Sequence, residues 1–218
     1  MIPGLLAAIA VFSYLLGGLN GAIIASKYVF HRDVRDYGSG NAGLTNFFRT
    51  FGAPGLAIVI GTDVLKTVIA VVAGGLIMGT QGAASTGQVF AGFCVMLGHI
   101  YPVFYGFRGG KGVVTAAAMI LLLDWRVFLI CFAFFALVFA WKKTVSLASI
   151  CGCLLYPIVT FFITFFIDYK IGGLPGFYVA MATAVAALIG ATVIVKHRAN
   201  IKRILAGEEK PISFKKES

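Results

Sequence analysis

Four segments of this chain collect the small polar and cationic side chains that bind oxyanions, and each lies beside a long apolar run. The first, from Tyr37 to Arg49, reads YGSGNAGLTNFFR and holds three glycines, a serine, two asparagines, a threonine and an arginine. Asn41, Thr45 and Asn46 are spaced to cap a helix that begins near Thr45, with Gly43 or Thr45 before it. A turn carrying Gly38, Gly40 and Gly43 that leads into a helix start presents bare backbone N–H groups, which cradle an anion. Ser39 adds a hydroxyl, and Arg49, a turn inside, adds a forked cation suited to phosphate. A flexible linker would need fewer hydrogen-bonding groups, so the segment reads as a phosphate or acyl-phosphate site.

The second segment runs from Gly98 to Gly112 and ends in Gly109-Gly110-Lys111-Gly112, a lysine on backbone without side-chain bulk. That arrangement lets an oxyanion approach closely. It is not a nucleotide P-loop, because Tyr105 stands where the first glycine belongs and Gly112 where a serine or threonine must follow the lysine. His99 reads as a hydrogen-bonded histidine that shapes a helix end. The third segment, Trp141 to Ser146, carries Lys142 and Lys143, and Ser146 either caps the next run or touches a ligand. The fourth, Lys196 to Arg203, places His197, Asn200 and Arg203 three apart, on one rough face of a helix.

Three other patterns compete for attention. His31 and Asp36 have the spacing of a histidine base oriented by an aspartate, but they stand in a short, basic, solvated loop, and the spacing reads as coincidence. Asp63 and Lys66 lie at i, i+3 inside an apolar run, where ionisable groups are functional candidates by default and where an intrahelical pair is the simplest account. Cys94, Cys131, Cys151 and Cys153 all fall in apolar stretches. The spacing of the last two is too short for a zinc knuckle, so all four read as packed thiols.

The elements that position these segments are membrane helices. Of the 218 residues, 60% are hydrophobic and 12% charged, far from soluble composition. A span needs roughly 20 apolar residues to cross a hydrocarbon core of about 30 Å. Runs at 3–26, 53–79, 88–107, 145–167 and 174–195 meet that length, while 113–123 and 127–140 are shorter and flank Asp124-Trp125-Arg126. Those two are either a pair of short spans or one broken element. Charge arbitrates: with seven spans and the N-terminus outside, 15 of the 18 Lys and Arg fall in inside segments and only Arg126 and Lys170 outside. The predicted fold class is therefore all-α, a polytopic helical membrane protein with seven transmembrane helices, N-terminus outside and C-terminus cytoplasmic. The first run lacks a basic leader and a cleavage site, so it is expected to be retained. The whole chain is expected to form one domain, with residues 207–218 a frayed tail. The net charge of +10 fits cytoplasmic loops and anionic ligands, and no stripe of stacking aromatics points to nucleic acid.

The segments Gly38–Arg49, Gly98–Gly112 and His197–Glu208, taken in order, resemble those of the PlsY family, the acyl-phosphate:glycerol-3-phosphate acyltransferases of bacterial membranes. The resemblance covers nearly the whole chain, Asp63 and Lys66 included, and departs at Thr144, where the family tends to have an aromatic. It implies transfer of a fatty acyl group from acyl phosphate to the 1-hydroxyl of sn-glycerol 3-phosphate, giving lysophosphatidic acid and phosphate. It implies no metal or other cofactor and no nucleic acid. The partners it implies are the two substrates, membrane lipid and a functional link to the enzyme that makes acyl phosphate. The essential residues fall on Ser39, Arg49, Lys111, His197 and Asn200. Gly40, Asn41, Gly43, Thr45, Asn46, Gly109, Gly110, Gly112, Ser146 and Arg203 are expected to contact substrate. The expected place is the bacterial cytoplasmic membrane, active face inward. Two other classes explain less. An anion transporter would place its polar groups near the midplane, and a lipid-binding protein leaves the glycine–lysine loop without purpose.

Overall fold

The computed structural model describes residues 1–212, and these are helical, with no strand among them. They pack as two compact units, one from Met1 to Leu123 and one from Asp124 onward. Among the described residues, six helical stretches are long and apolar enough to cross a membrane: Ile2–Phe30, Leu56–Gly79, Ala84–Tyr105, Trp125–Lys142, Val145–Ile171 and Gly176–Lys196. The remaining apolar run is a helix at Val113–Leu123, only 11 residues long. At about 1.5 Å per residue it falls well short of the hydrocarbon thickness on its own.

The first unit contains α1 (Ile2–Gly17), α2 (Gly21–Phe30), α3 (Leu44–Phe51), α4 (Leu56–Gly79), α5 (Ala84–Ile100) and α6 (Val113–Leu123). The first apolar run is thus two helices. Asn20 starts the second by accepting from the Ile23 N–H at 3.0 Å, and helices that start this way need an acceptor at that place. Glycines let the long helices meet backbone to backbone, as small residues do where lipid supplies no hydrophobic drive. A methyl group on Gly17 or Gly98 would collide with the backbone of α5 or α1, and one on Gly74 or Gly87 with the facing backbone of α5 or α4.

The second unit contains α7 (Trp125–Lys142), α8 (Val145–Phe162), a π-helical stretch at Ile163–Ile171, α9 (Gly176–Lys196) and α10 (Arg198–Leu205). Asp124 caps α7, accepting from the Arg126 and Val127 N–H groups. The Asp124-Trp-Arg sequence is therefore a helix start, which explains why the apolar stretch divides there. Arg126 also reaches Asp168 at 3.0 Å, so an ion bridge ties the start of α7 to the π-helical stretch. Phe128, Phe132, Phe135 and Phe139 stack in a stripe along α7. The four cysteines are free thiols.

Candidate active site

In the first unit the loop between α2 and α3 is held from inside by one side chain. Asn46, 5% exposed, donates from Nδ2 to the Val34 carbonyl at 3.1 Å and the Tyr37 carbonyl at 3.0 Å. Its Oδ1 accepts from the Ser39 N–H at 2.9 Å. Gly38, with φ of +57°, sits over this amide, and a Cβ there would overlap Asn46 Oδ1. The structure thus gives Asn46 a positioning job in place of the capping role the spacing suggested. Helix α3 starts at Leu44 after Gly43, and neither Asn41, Thr45 nor Asn46 caps it through a side chain. Its first N–H groups lack intrahelical carbonyls, as at any helix start. Ser39 is exposed beside Gly40, whose N–H donates to the Tyr37 carbonyl, and Arg49 is exposed in the last turn of α3.

Two hydrogen bonds join this loop to the glycine–lysine loop before α6. The Ala42 N–H donates to the Gly109 carbonyl at 3.3 Å, and Arg35 donates from Nη1 to the Tyr105 carbonyl at 2.7 Å. Asn20 supports the same join, donating to the Ala42 carbonyl at 3.0 Å. Arg35 is aimed by Asp33, which takes its Nε and Nη2 at 2.9 and 2.7 Å. The hydrogen bonds from Arg35 hold the Asp33 carboxyl well below the usual carboxylate range. The His31–Asp36 spacing carries nothing of this kind. His31 ends α2 in a left-handed conformation, Asp36 lies in the next turn, both are exposed, and no hydrogen bond joins them. The working carboxylate of that loop is Asp33, a residue the sequence reading passed over. Lys111 is half-buried between Gly110 and Gly112, and Gly112 has φ of +82°.

Beneath this loop Asp63 and Lys66 pair at 2.7 Å, as their spacing predicted. Lys66 also donates to the Leu19 carbonyl at 2.8 Å and lies 2.9 Å from His99 Nδ1. All three ionisable side chains are buried.

In the second unit His197 joins α9 to α10 and is buried. Its Nδ1 bonds the Val193 carbonyl at 2.8 Å. A carbonyl only accepts, so Nδ1 carries the hydrogen and the neutral ring has its lone pair on Nε2. Asn200 and Arg203 follow on α10, and with Ser146 of α8 they converge on one carboxylate. Glu209 takes the Ser146 hydroxyl and the Asn200 amide on Oε1, each at 2.7 Å, and Arg203 Nε on Oε2 at 2.6 Å. The sequence expectation of a frayed tail from residue 207 does not hold here. The tail is fixed through Glu209, and the Ile212 N–H bonds the Lys143 carbonyl at 2.8 Å. The rest of the expected tail, 213–218, lies outside the described residues. Burial raises the Glu209 carboxyl, and the bonds from Ser146, Arg203 and Asn200 outweigh that and hold it below the usual glutamate value. A carboxylate matched to three donors is the strong kind of hydrogen-bonded anion site.

The chain matches the family model for glycerol-3-phosphate acyltransferase over residues 7–207. It is 40% identical to a glycerol-3-phosphate acyltransferase of Thermoanaerobacter sp. (strain X514), covering 95% of this chain and 96% of that one. It is also 40% identical to one of Clostridioides difficile (strain 630), covering 96% of each. Among solved structures it is similar to a crystal structure of PlsY (YgiH), an integral membrane glycerol 3-phosphate acyltransferase, in its glycerol 3-phosphate form. The TM-score is 0.75 at 34% identity, over 95% of this chain and 96% of that one. The lysophosphatidic acid form of that protein matches with the same TM-score at 32% identity, over 96% of each chain.

Proposed function

The chain belongs to the glycerol-3-phosphate acyltransferase family, and from that premise we propose that it moves a fatty acyl group from acyl phosphate to the 1-hydroxyl of sn-glycerol 3-phosphate. The products are lysophosphatidic acid and phosphate. The enzyme is a multi-pass protein of the bacterial cytoplasmic membrane, with seven helices counting α6, the N-terminus outside and the motif-bearing loops on the cytoplasmic face. The excess of Lys and Arg on one set of loops supports that orientation. The relation of the activity to its donor makes the enzyme that produces acyl phosphate its functional partner.

The observation that carries this reading is the join between the two glycine loops. Ala42 to Gly109 and Arg35 to Tyr105 bring the segment of Ser39 and Arg49 against the segment of Lys111. Both substrates are phosphate esters or anhydrides, and cations set among bare backbone donors are what such groups need. Arg49, Lys111 and His197 hold phosphate, while Ser39 and Asn41 orient the acyl phosphate. The 1-hydroxyl oxygen bonds to the acyl carbon, and the bond from that carbon to the phosphate oxygen breaks. The hydroxyl proton ends on the released phosphate, taken up by a substrate phosphate oxygen directly or through His197 Nε2. The donor is already activated, so no covalent enzyme intermediate is required, and positioning with oxyanion stabilisation carries the barrier.

The test is phosphate release by purified protein given acyl phosphate and glycerol 3-phosphate, with acyl-CoA in parallel. Phosphate release with acyl phosphate is expected; lysophosphatidic acid formed only from acyl-CoA, with free CoA thiol and no phosphate released, overturns the donor, and no lysophosphatidic acid from either overturns the enzyme. Lys111→Ala should raise KM for glycerol 3-phosphate or abolish turnover. Near-normal turnover by His197→Ala removes that histidine as base.

A further inference from the structure

We propose that His99 is a positioning residue that sets the geometry of the glycine–lysine loop, clamped from below by the buried Asp63–Lys66 pair; the inference rests on the reading of that loop as a phosphate site. His99 is 3% exposed and meets the loop twice. Its backbone carbonyl accepts the Gly110 N–H at 3.1 Å. Its ring lies so close that a methyl group on Gly110 would overlap Nε2 and stand 2.8 Å from Cε1. Gly110 is therefore fixed by contact with the imidazole as well as by its need for bare backbone, and the next residue is Lys111.

The other side of the ring is fixed just as firmly. Lys66 Nζ lies 2.9 Å from Nδ1, 2.7 Å from Asp63 Oδ1 and 2.8 Å from the Leu19 carbonyl. An ammonium group has three hydrogens and no lone pair. It donates to the carboxylate and the carbonyl and holds Nδ1 within hydrogen-bond reach, which turns Nε2 toward Gly110. The Asp63 carboxylate, 3.2 Å from Nδ1 and also approached by the Gly21 N–H at 3.4 Å, balances the lysine charge. One lysine thus ties the start of α2, the middle of α4 and the end of α5 to a single imidazole orientation. The loop that carries Lys111 rests on that imidazole.

The experiment compares wild type with His99→Ala, His99→Asn and Gly110→Ala, all as full-length protein in detergent. Two quantities are read: KM and kcat for glycerol 3-phosphate, and amide hydrogen exchange of the 109–112 peptide without substrate. His99→Ala should raise KM about 10- to 100-fold, the worth of one hydrogen bond to a charged partner, with kcat changed much less and exchange of 109–112 accelerated. His99→Asn places an acceptor where Nδ1 was and should recover part of both effects. Gly110→Ala crowds the ring and also stands 2.9 Å from the Ala42 carbonyl, so it should speed exchange of 109–112 as well; where His99→Ala does not fold, His99→Asn decides, and wild-type KM with wild-type exchange in it overturns the proposal. Unchanged KM and unchanged exchange in these variants overturn the proposal. Should the wild type release no phosphate, the functional reading fails separately, and exchange at 109–112 alone judges whether His99 holds the loop.

Discussion

Asn46→Ala is the sharpest perturbation of the loop that carries Ser39. The side chain is buried and makes three hydrogen bonds, to the Val34 and Tyr37 carbonyls and from the Ser39 N–H. At about 1 kcal/mol net for each bond, their loss costs about 3 kcal/mol. At 1.4 kcal/mol per factor of ten, that is about 100-fold in the population of the ordered loop. The expected result is a fall of kcat/KM by about 10- to 100-fold, together with faster hydrogen exchange over 34–40 in the absence of substrate. Asn46→Asp separates the parts. It keeps an acceptor for the Ser39 N–H but turns a second oxygen toward the two carbonyls, so it should not rescue the alanine variant. A direct substrate contact by Asn46 predicts the opposite division, with raised KM and an unaltered free loop. Asn46→Ala with unaltered exchange and kcat/KM within about threefold of wild type refutes the positioning argument.

Two further outcomes follow from the same geometry. His31→Ala and Asp36→Ala should each leave kcat/KM within about twofold, since both are exposed and unbonded to each other, whereas Asp33→Ala releases Arg35 from Tyr105 and should lower it clearly more. Glu209 supplies a pH dependence: its folded value lies below the ordinary 4.5, so its stabilising contribution is complete above that pH and is lost as pH falls through the depressed value. Exchange over 207–212 should accelerate on acidification below about pH 4.5 in wild type, and Glu209→Gln should be loosened at neutral pH with that acid step abolished.

Much of the framework was legible because apolar length is written along the chain. The run at Val113–Leu123 matches its helix end for end, and Val145 starts α8 as read. The break at Asn20 was missed, although Gly17, Gly18 and an asparagine in an apolar run are themselves a helix-stop and helix-start signal. At the site, residue type and spacing found Asp63 with Lys66 and gathered Ser146, Asn200 and Arg203 among the candidates. They could not find what those residues face. His99 meets Lys66 from 33 residues away and Glu209 meets Ser146 from 63 away, and one sequence carries no trace of such pairings. Glu209 was hidden further by its neighbours, since a charged tail of Glu, Lys and Ser reads as solvated chain until a fold supplies donors for one of its carboxylates.

The Asp63–Lys66 pair also bears on how the protein is made. A lone lysine at the middle of an inserting helix costs about 2.5–3.5 kcal/mol on insertion scales, and α4 emerges from the ribosome before α5 and its His99. Because the aspartate is one turn earlier on the same helix, 2.7 Å away, α4 carries its counter-ion with it and enters the bilayer as a neutral segment. The Leu19 carbonyl, already synthesised, can be engaged as soon as α4 is in place, and His99 last. The order of residues along the chain thus puts the counter-ion before the lysine and both before His99, so the buried charge has its partner within its own helix.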